Sequence, residues 1–142
     1  SGELRRAGFS ANEIHSGLEQ TAREQVLLDF KNKKLKILVA TDILSRGIDI
    51  EDIDLVINYD VPHDGEDYVH RIGRTARAAS EGMAYTMVIP AEQNKFQSIE
   101  KLLGYEVRKS TVPETLGPVP LYNPQARQDA KRKFKYKKKR RY

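Results

Sequence analysis

His70-Arg71-Ile72-Gly73-Arg74-Thr75-Ala76-Arg77-Ala78 sets three arginines three residues apart behind a histidine, with a glycine inside the run. A stretch this basic, broken by Gly73, suits a helix that ends and aims its last side chains at anions. Arginine fits that task because its planar fork grips phosphate oxygens with two bonds and it does not lose its charge. A solvated basic helix end, favoured by the helix dipole, would read the same way in sequence. The triplet alone does not separate the two.

An upstream segment adds the missing information. The run Lys36 to Val39 leads into Ala40-Thr41-Asp42-Ile43-Leu44-Ser45-Arg46-Gly47-Ile48-Asp49-Ile50. A buried strand that ends in Thr-Asp and then Arg-Gly delivers polar groups to the edge of a parallel sheet, where ligands bind in open α/β folds. Together the two segments closely resemble motifs V and VI of the DEAD-box ATP-dependent RNA helicases. Ile14-His15-Ser16-Gly17, followed by Gln20 and Arg23, resembles the motif IVa region of the same family, and the resemblance runs from Glu3 to Gly104.

The flanking residues predict alternating elements. Glu3 to Gly8 reads as the end of a helix with Gly8 just beyond it. Phe9 to His15 reads as a strand, and Ser16 with Glu19 as a capping box opening a helix to Lys33, with Ala22, Val26, Leu27 and Phe30 inward. Lys36–Ala40 and Asp54–Tyr59 read as short buried strands. Asp64 with Asp67 caps a helix leading into His70 and Arg71, and Gly82 to Ile89 is the next strand. Pro90 precedes a helix with Phe96, Ile99, Leu102 and Leu103 as its stripe and Gly104 as its stop. Strands alternating with helices predict parallel βαβ units and a three-layer α/β domain with a mostly parallel sheet. The resemblance implies the second RecA-like lobe of a helicase.

On this reading residues 3–112 form the helicase C-terminal RecA-like domain, 113–124 a proline-rich linker, and 125–142 a basic, disordered tail. The family's motif IV strand, which precedes the first helix, is not present, so the domain reads as N-terminally truncated. An unpaired sheet edge of that kind invites self-association of the fragment. The sequence holds no Gly-x-x-x-x-Gly-Lys-Ser/Thr and no Asp-Glu-Ala-Asp. A phosphate-cradling loop must then come from elsewhere, and the fragment alone is expected to be inactive.

Composition sets outer bounds. The 142 residues suffice for one domain with a core, and the lack of cysteine removes disulfides, thiolate zinc sites and cysteine nucleophiles. That suits a reducing, cytoplasmic setting, and no apolar run approaches the ~20 residues of a membrane span. The net charge of +5 is uneven. Residues 125–142 hold ten Lys/Arg and one acidic residue, hence +9; the other fifteen Lys/Arg and nineteen acidic residues leave −4. The basicity belongs to the tail.

Roles follow by resemblance. Arg74 and Arg77 are the arginine fingers that bring charge to the γ-phosphate of ATP held by the other lobe. His70 meets the acidic motif of that N-terminal RecA-like lobe, and Arg71 meets the other lobe or RNA. Asp49 takes the ATP ribose hydroxyls beside Gly47, and Asp42 links the RNA and ATP sides of the cleft. Thr41, Arg46 and Gly47 meet the RNA backbone, helped by Gln20 and Arg23. Ala76 and Ala79 stand where the family commonly has glycine, which leaves the local backbone path open.

Mg²⁺ would accompany ATP, held mainly by the N-terminal lobe. His15, His63 and His70 have no metal-ligand spacing, and Glu51, Asp52 and Asp54 lack the glycine turn of a calcium loop, so no metal is expected on this chain. In the tail, Lys133, Lys135 and Lys137 alternate with Phe134 and Tyr136, a pattern that neutralises phosphates while rings stack on unpaired bases. A solvated tail has the same composition. Two rivals remain: a non-enzymatic RNA-binding module and a DNA-directed helicase of the same superfamily.

Overall fold

The structure is a computed structural model that describes residues 1–41, 50, 53–75 and 82–125. The chain divides into two compact units, Ser1–Ile53 and Asp54–Tyr142. The first carries helix α1 (Gly2–Arg6), strand β1 (Ala11–Ile14), helix α2 (Gln20–Lys31) and strand β2 (Ile37–Ala40). The second carries strand β3 (Leu55–Asn58), helix α3 (Gly65–Ile72), strand β4 (Met83–Thr86) and helix α4 (Gln93–Leu103), with 3₁₀ turns at Pro90–Glu92 and Glu114–Leu116.

Each unit contains a strand–helix–strand step. β1 pairs with β2 in parallel, Ala11 opposite Ile37 and Ile14 opposite Ala40. β3 pairs with β4 in parallel, Leu55 opposite Met83 and Asn58 opposite Thr86. Parallel neighbours need a crossover connection, and α2 and α3 lie within these two. The elements thus bear out the α/β reading with parallel sheets. In the first unit Ala11, Ile14 and Val26 are buried, and Leu27 and Phe30 are half-buried. In the second unit Val61, Tyr68, Phe96 and Ile99 form the core, with Ile72, Val88, Leu103, Val107 and Tyr122 packed around it. Each fully buried side chain of this kind stabilises by about 1.5–3 kcal/mol. Tyr68 meets Phe96 edge to face at 6.0 Å between ring centroids.

Four expectations need correction. Ala22, expected on the inner face of α2, is exposed. Helix α2 starts at Gln20, with Glu19 at its N-cap and no side-chain cap bond, so Ser16 and Glu19 do not form a capping box. The intervening turn is closed otherwise: the Gly17 N–H donates to His15 Nδ1 at 3.1 Å, and Arg23 Nε donates to the Leu18 carbonyl at 2.9 Å. Strands β2 and β3 are not buried throughout, since Val39, Leu55 and Ile57 are exposed. In β3 the exposure alternates, as expected for a strand that turns successive side chains to opposite faces, whereas in β2 it falls on the last two residues, Val39 and Ala40. Leu102 also departs from the expected stripe: it is exposed, whereas Phe96 and Ile99 are buried.

The proline-rich segment does not run free of the second unit. The buried Gln93 donates from Nε2 to the Leu121 carbonyl at 3.0 Å and accepts the Asn123 N–H at 2.7 Å. Among the described residues no helix is long and apolar enough to cross a membrane. Residues 126–142, with Lys133, Lys135 and Lys137, lie outside the described residues.

Candidate functional site

In the second unit the site is built on α3. Asp64 stands in extended conformation before the helix and its Oδ1 accepts the Asp67 N–H at 2.8 Å, satisfying one of the unpaired donors of the first turn. Glu66 and Asp67 fall in the first turn and His70 and Arg71 in the last, so the charges complement the helix dipole at both ends. The helix stops at Ile72, and Gly73 keeps right-handed geometry, its N–H donating to the Val69 carbonyl at 2.8 Å. The chain then tightens. Arg74 N–H donates to the Arg71 carbonyl at 3.2 Å and Thr75 N–H to the Ile72 carbonyl at 3.1 Å. Arg74 is therefore held in an ordered turn immediately past the helix.

His70 is exposed, Arg71 and Arg74 are half-buried, and Thr75 is buried. Arg71 Nη1 donates to Asn58 Oδ1 at 3.1 Å and to the Asp60 carbonyl at 3.5 Å. Burial pushes the Arg71 guanidinium below its ordinary pKa. Asn58 Nδ2 donates in turn to Thr86 Oγ1 at 3.1 Å. Gly82, at the foot of β4, lies so close to Thr75 that a Cβ there would stand 1.7 Å from the Thr75 carbonyl oxygen. Arg77, Ala76 and Ala79 lie outside the described residues.

In the first unit Thr41 follows β2 and Gln20 and Arg23 lie in the first turn of α2, which follows β1. Thr41 follows β2, is exposed, and extends the ladder by donating its N–H to the Ile14 carbonyl at 3.3 Å. Gln20 opens α2, is exposed, and donates from Nε2 to Glu24 Oε1 at 2.8 Å. Arg23 is half-buried on the turn carbonyls of Leu18 and Ser16. Asp42, Arg46, Gly47 and Asp49 lie outside the described residues.

Sequence reading missed Asn58, Thr86 and Gly82. Asn58 did leave a signal, as the one polar side chain in the apolar run Leu55–Asn58. Thr86 and Gly82 carry none, because their importance comes from what they approach across the sheet or the turn.

A family profile described as "Helicase conserved C-terminal domain" matches residues 2–79, more than half of the chain. The "ATP-dependent rRNA helicase RRP3" of Phaeosphaeria nodorum is 49% identical over 109 residues, covering 77% of this chain and 20% of that protein. The "ATP-dependent RNA helicase DbpA" of Bacillus subtilis is 45% identical over 111 residues, covering 78% and 23%. Among solved structures, a DEAD box protein from the hyperthermophile Methanococcus jannaschii superposes with a TM-score of 0.73 at 44% identity, covering 78% of this chain and 30% of that one. The Escherichia coli DEAD-box protein SrmB, solved bound to regulator of ribonuclease activity A, gives 0.75 at 32% identity, covering 86% and 71%.

Fold and motif order thus define a helicase C-terminal domain. Within that class the chain belongs to the DEAD-box family, as a C-terminal RecA-like lobe. It spans about a fifth of the length of the curated relatives named here.

Proposed function

We propose that this chain is the second lobe of an ATP-driven RNA helicase and completes a cleft whose other wall is an N-terminal RecA-like lobe. The observation that carries the reading is the helicase C-terminal match over residues 2–79, a span that includes the stretches resembling motifs IVa, V and VI in order. The turn geometry supports it: Arg74 is held just past α3 by two successive backbone bonds, as a group that must meet a phosphate needs to be.

In this reading Arg74 and Arg77 bring positive charge to the γ-phosphate as charge develops there, and Asp49 with Gly47 receives the ribose. Asp42 and His70 connect nucleotide, RNA and the facing lobe. Thr41, Arg46, Gly47, Gln20 and Arg23 meet the RNA backbone, and Lys133, Lys135 and Lys137 add contacts from the tail. Mg²⁺ and the triphosphate are held mainly by the N-terminal lobe, since this chain has no glycine-rich phosphate loop of the Gly-x-x-x-x-Gly-Lys-Ser/Thr form.

The test joins the chain to the N-terminal lobe of a DEAD-box helicase and measures ATP hydrolysis with and without single-stranded RNA. RNA-stimulated turnover by the joined lobes, with none from either lobe alone, is expected. Hydrolysis by the purified chain alone, or no turnover by the joined lobes, would overturn the reading.

A further inference from the structure

We infer that Arg71 is a positioning residue that, through Asn58, fixes the rotation of α3 and so the point from which Arg74 is presented. Arg71, in the last turn of α3, grips Asn58 on β3, which stands opposite Thr86 on β4 in register. Arg71 Nη1 donates to Asn58 Oδ1 at 3.1 Å, and Asn58 Nδ2 donates to Thr86 Oγ1 at 3.1 Å. These three side chains therefore link the helix to both strands.

Asn58 is the middle member of this chain of bonds. It is 2% exposed and uses both ends of its amide, so it cannot flip or rotate without leaving a buried polar atom unpaired. The chain of bonds reaches Arg74 through one backbone step, since the Arg74 N–H donates to the Arg71 carbonyl. A rotation of α3 that broke the Arg71–Asn58 bond would carry that carbonyl, and Arg74 with it. Arg71 spends Nη1 on two acceptors inside its own unit, Asn58 Oδ1 and the Asp60 carbonyl at 3.5 Å. A side chain committed in this way is a brace of the helix; using Nη1 on an RNA phosphate would cost both bonds.

The inference rests on the arginine-finger reading of Arg74, and the test separates the two. In the joined two-lobe enzyme, Asn58→Leu keeps the volume and removes both bonds. It should lower kcat about tenfold or more while the KM for ATP changes little, because misplacement by about 1 Å can cost ~10²-fold. Asn58→Asp keeps an acceptor for Arg71 and another for the Thr86 hydroxyl, and should restore most of kcat. Thr86→Val and Thr86→Ser form the second pair, with loss and recovery in the same order should the Asn58 variants fail to fold. Arg71→Met should leave the salt dependence of RNA binding unchanged, whereas loss of a phosphate contact would flatten the log–log slope by about 0.7. Wild-type kcat in both Asn58→Leu and Thr86→Val, or a flattened slope in Arg71→Met, overturns the inference. Absence of RNA-stimulated turnover in the wild-type joined enzyme would instead overturn the reading beneath it.

Discussion

The Tyr122 hydroxyl donates to Glu100 Oε2 at 2.9 Å and ties the end of the proline-rich segment to the middle of α4. Glu100 Oε1 accepts the Val107 N–H at 2.9 Å and also the Lys109 ammonium, which lies 4.6 Å from the Tyr122 ring centroid. Together with Gln93 these bonds make residues 107–123 a strap over α4. Leu121 and Asn123 are thereby fixed on α4.

Removing the hydroxyl should loosen the strap. A hydrogen bond to a charged acceptor contributes about 1.5–3 kcal/mol, and Tyr122→Phe should lower unfolding free energy at the low end of that range. Urea denaturation followed by circular dichroism measures it, and an unchanged midpoint would show that the strap adds nothing.

The same cluster has an acid limit. Burial disfavours the charge on Glu100, but bonds from Lys109, Tyr122 and the Val107 N–H outweigh it and hold the carboxyl below its ordinary range. A carboxylate whose folded pKa is depressed contributes stability above its unfolded value and loses it as pH falls through the folded one. Unfolding free energy should therefore decline below the ordinary carboxylate range, with a shallower decline in Glu100→Gln. Identical pH profiles for the two proteins would refute this.

Gly82→Ala should be poorly tolerated. The added carbon would stand 1.7 Å from the Thr75 carbonyl oxygen, a backbone atom that no side-chain rotation relieves. Overpacking typically costs about 1–3 kcal/mol, and this contact belongs at the upper end or beyond. A Gly82→Ala protein with the wild-type urea midpoint would show that Thr75 and Gly82 separate easily.

The tail should dominate RNA binding by the chain alone, because it carries the positive charge. If about six of its charges meet single-stranded phosphates, log K against log salt should slope near −4, at ~0.7 per contact. Truncation after Asn123, with fluorescence anisotropy at several salt concentrations, should abolish most affinity and slope. Unchanged binding would assign the contacts to the folded units.

Legibility followed the range of the forces involved. The Asp64 cap and the Gly104 stop, left-handed at φ 76°, depend on nearest neighbours and stood in the sequence. Ser16 and Glu19 misled because His15 and Arg23 serve the same turn from outside the capping pattern. The segment 113–124 read as a linker because prolines report local stiffness, whereas its anchorage depends on Gln93 and Glu100 on another element. The arginine triplet stood in the sequence as a pattern suited to phosphate. That Arg71 turns toward Asn58 was not legible, because strand register and helix rotation decide it.

The most direct measurement is the turnover number of the joined two-lobe enzyme when Arg74 and Arg77 are replaced singly by alanine. Arginine fingers act on charge that develops during transfer, so kcat should fall by ~10³-fold or more while ATP affinity changes far less. Lysine at either position should not rescue, because a point charge does not reproduce the fork. Near-wild-type kcat in both alanine variants would contradict the assignment of this lobe as the source of the arginines that complete the ATP site.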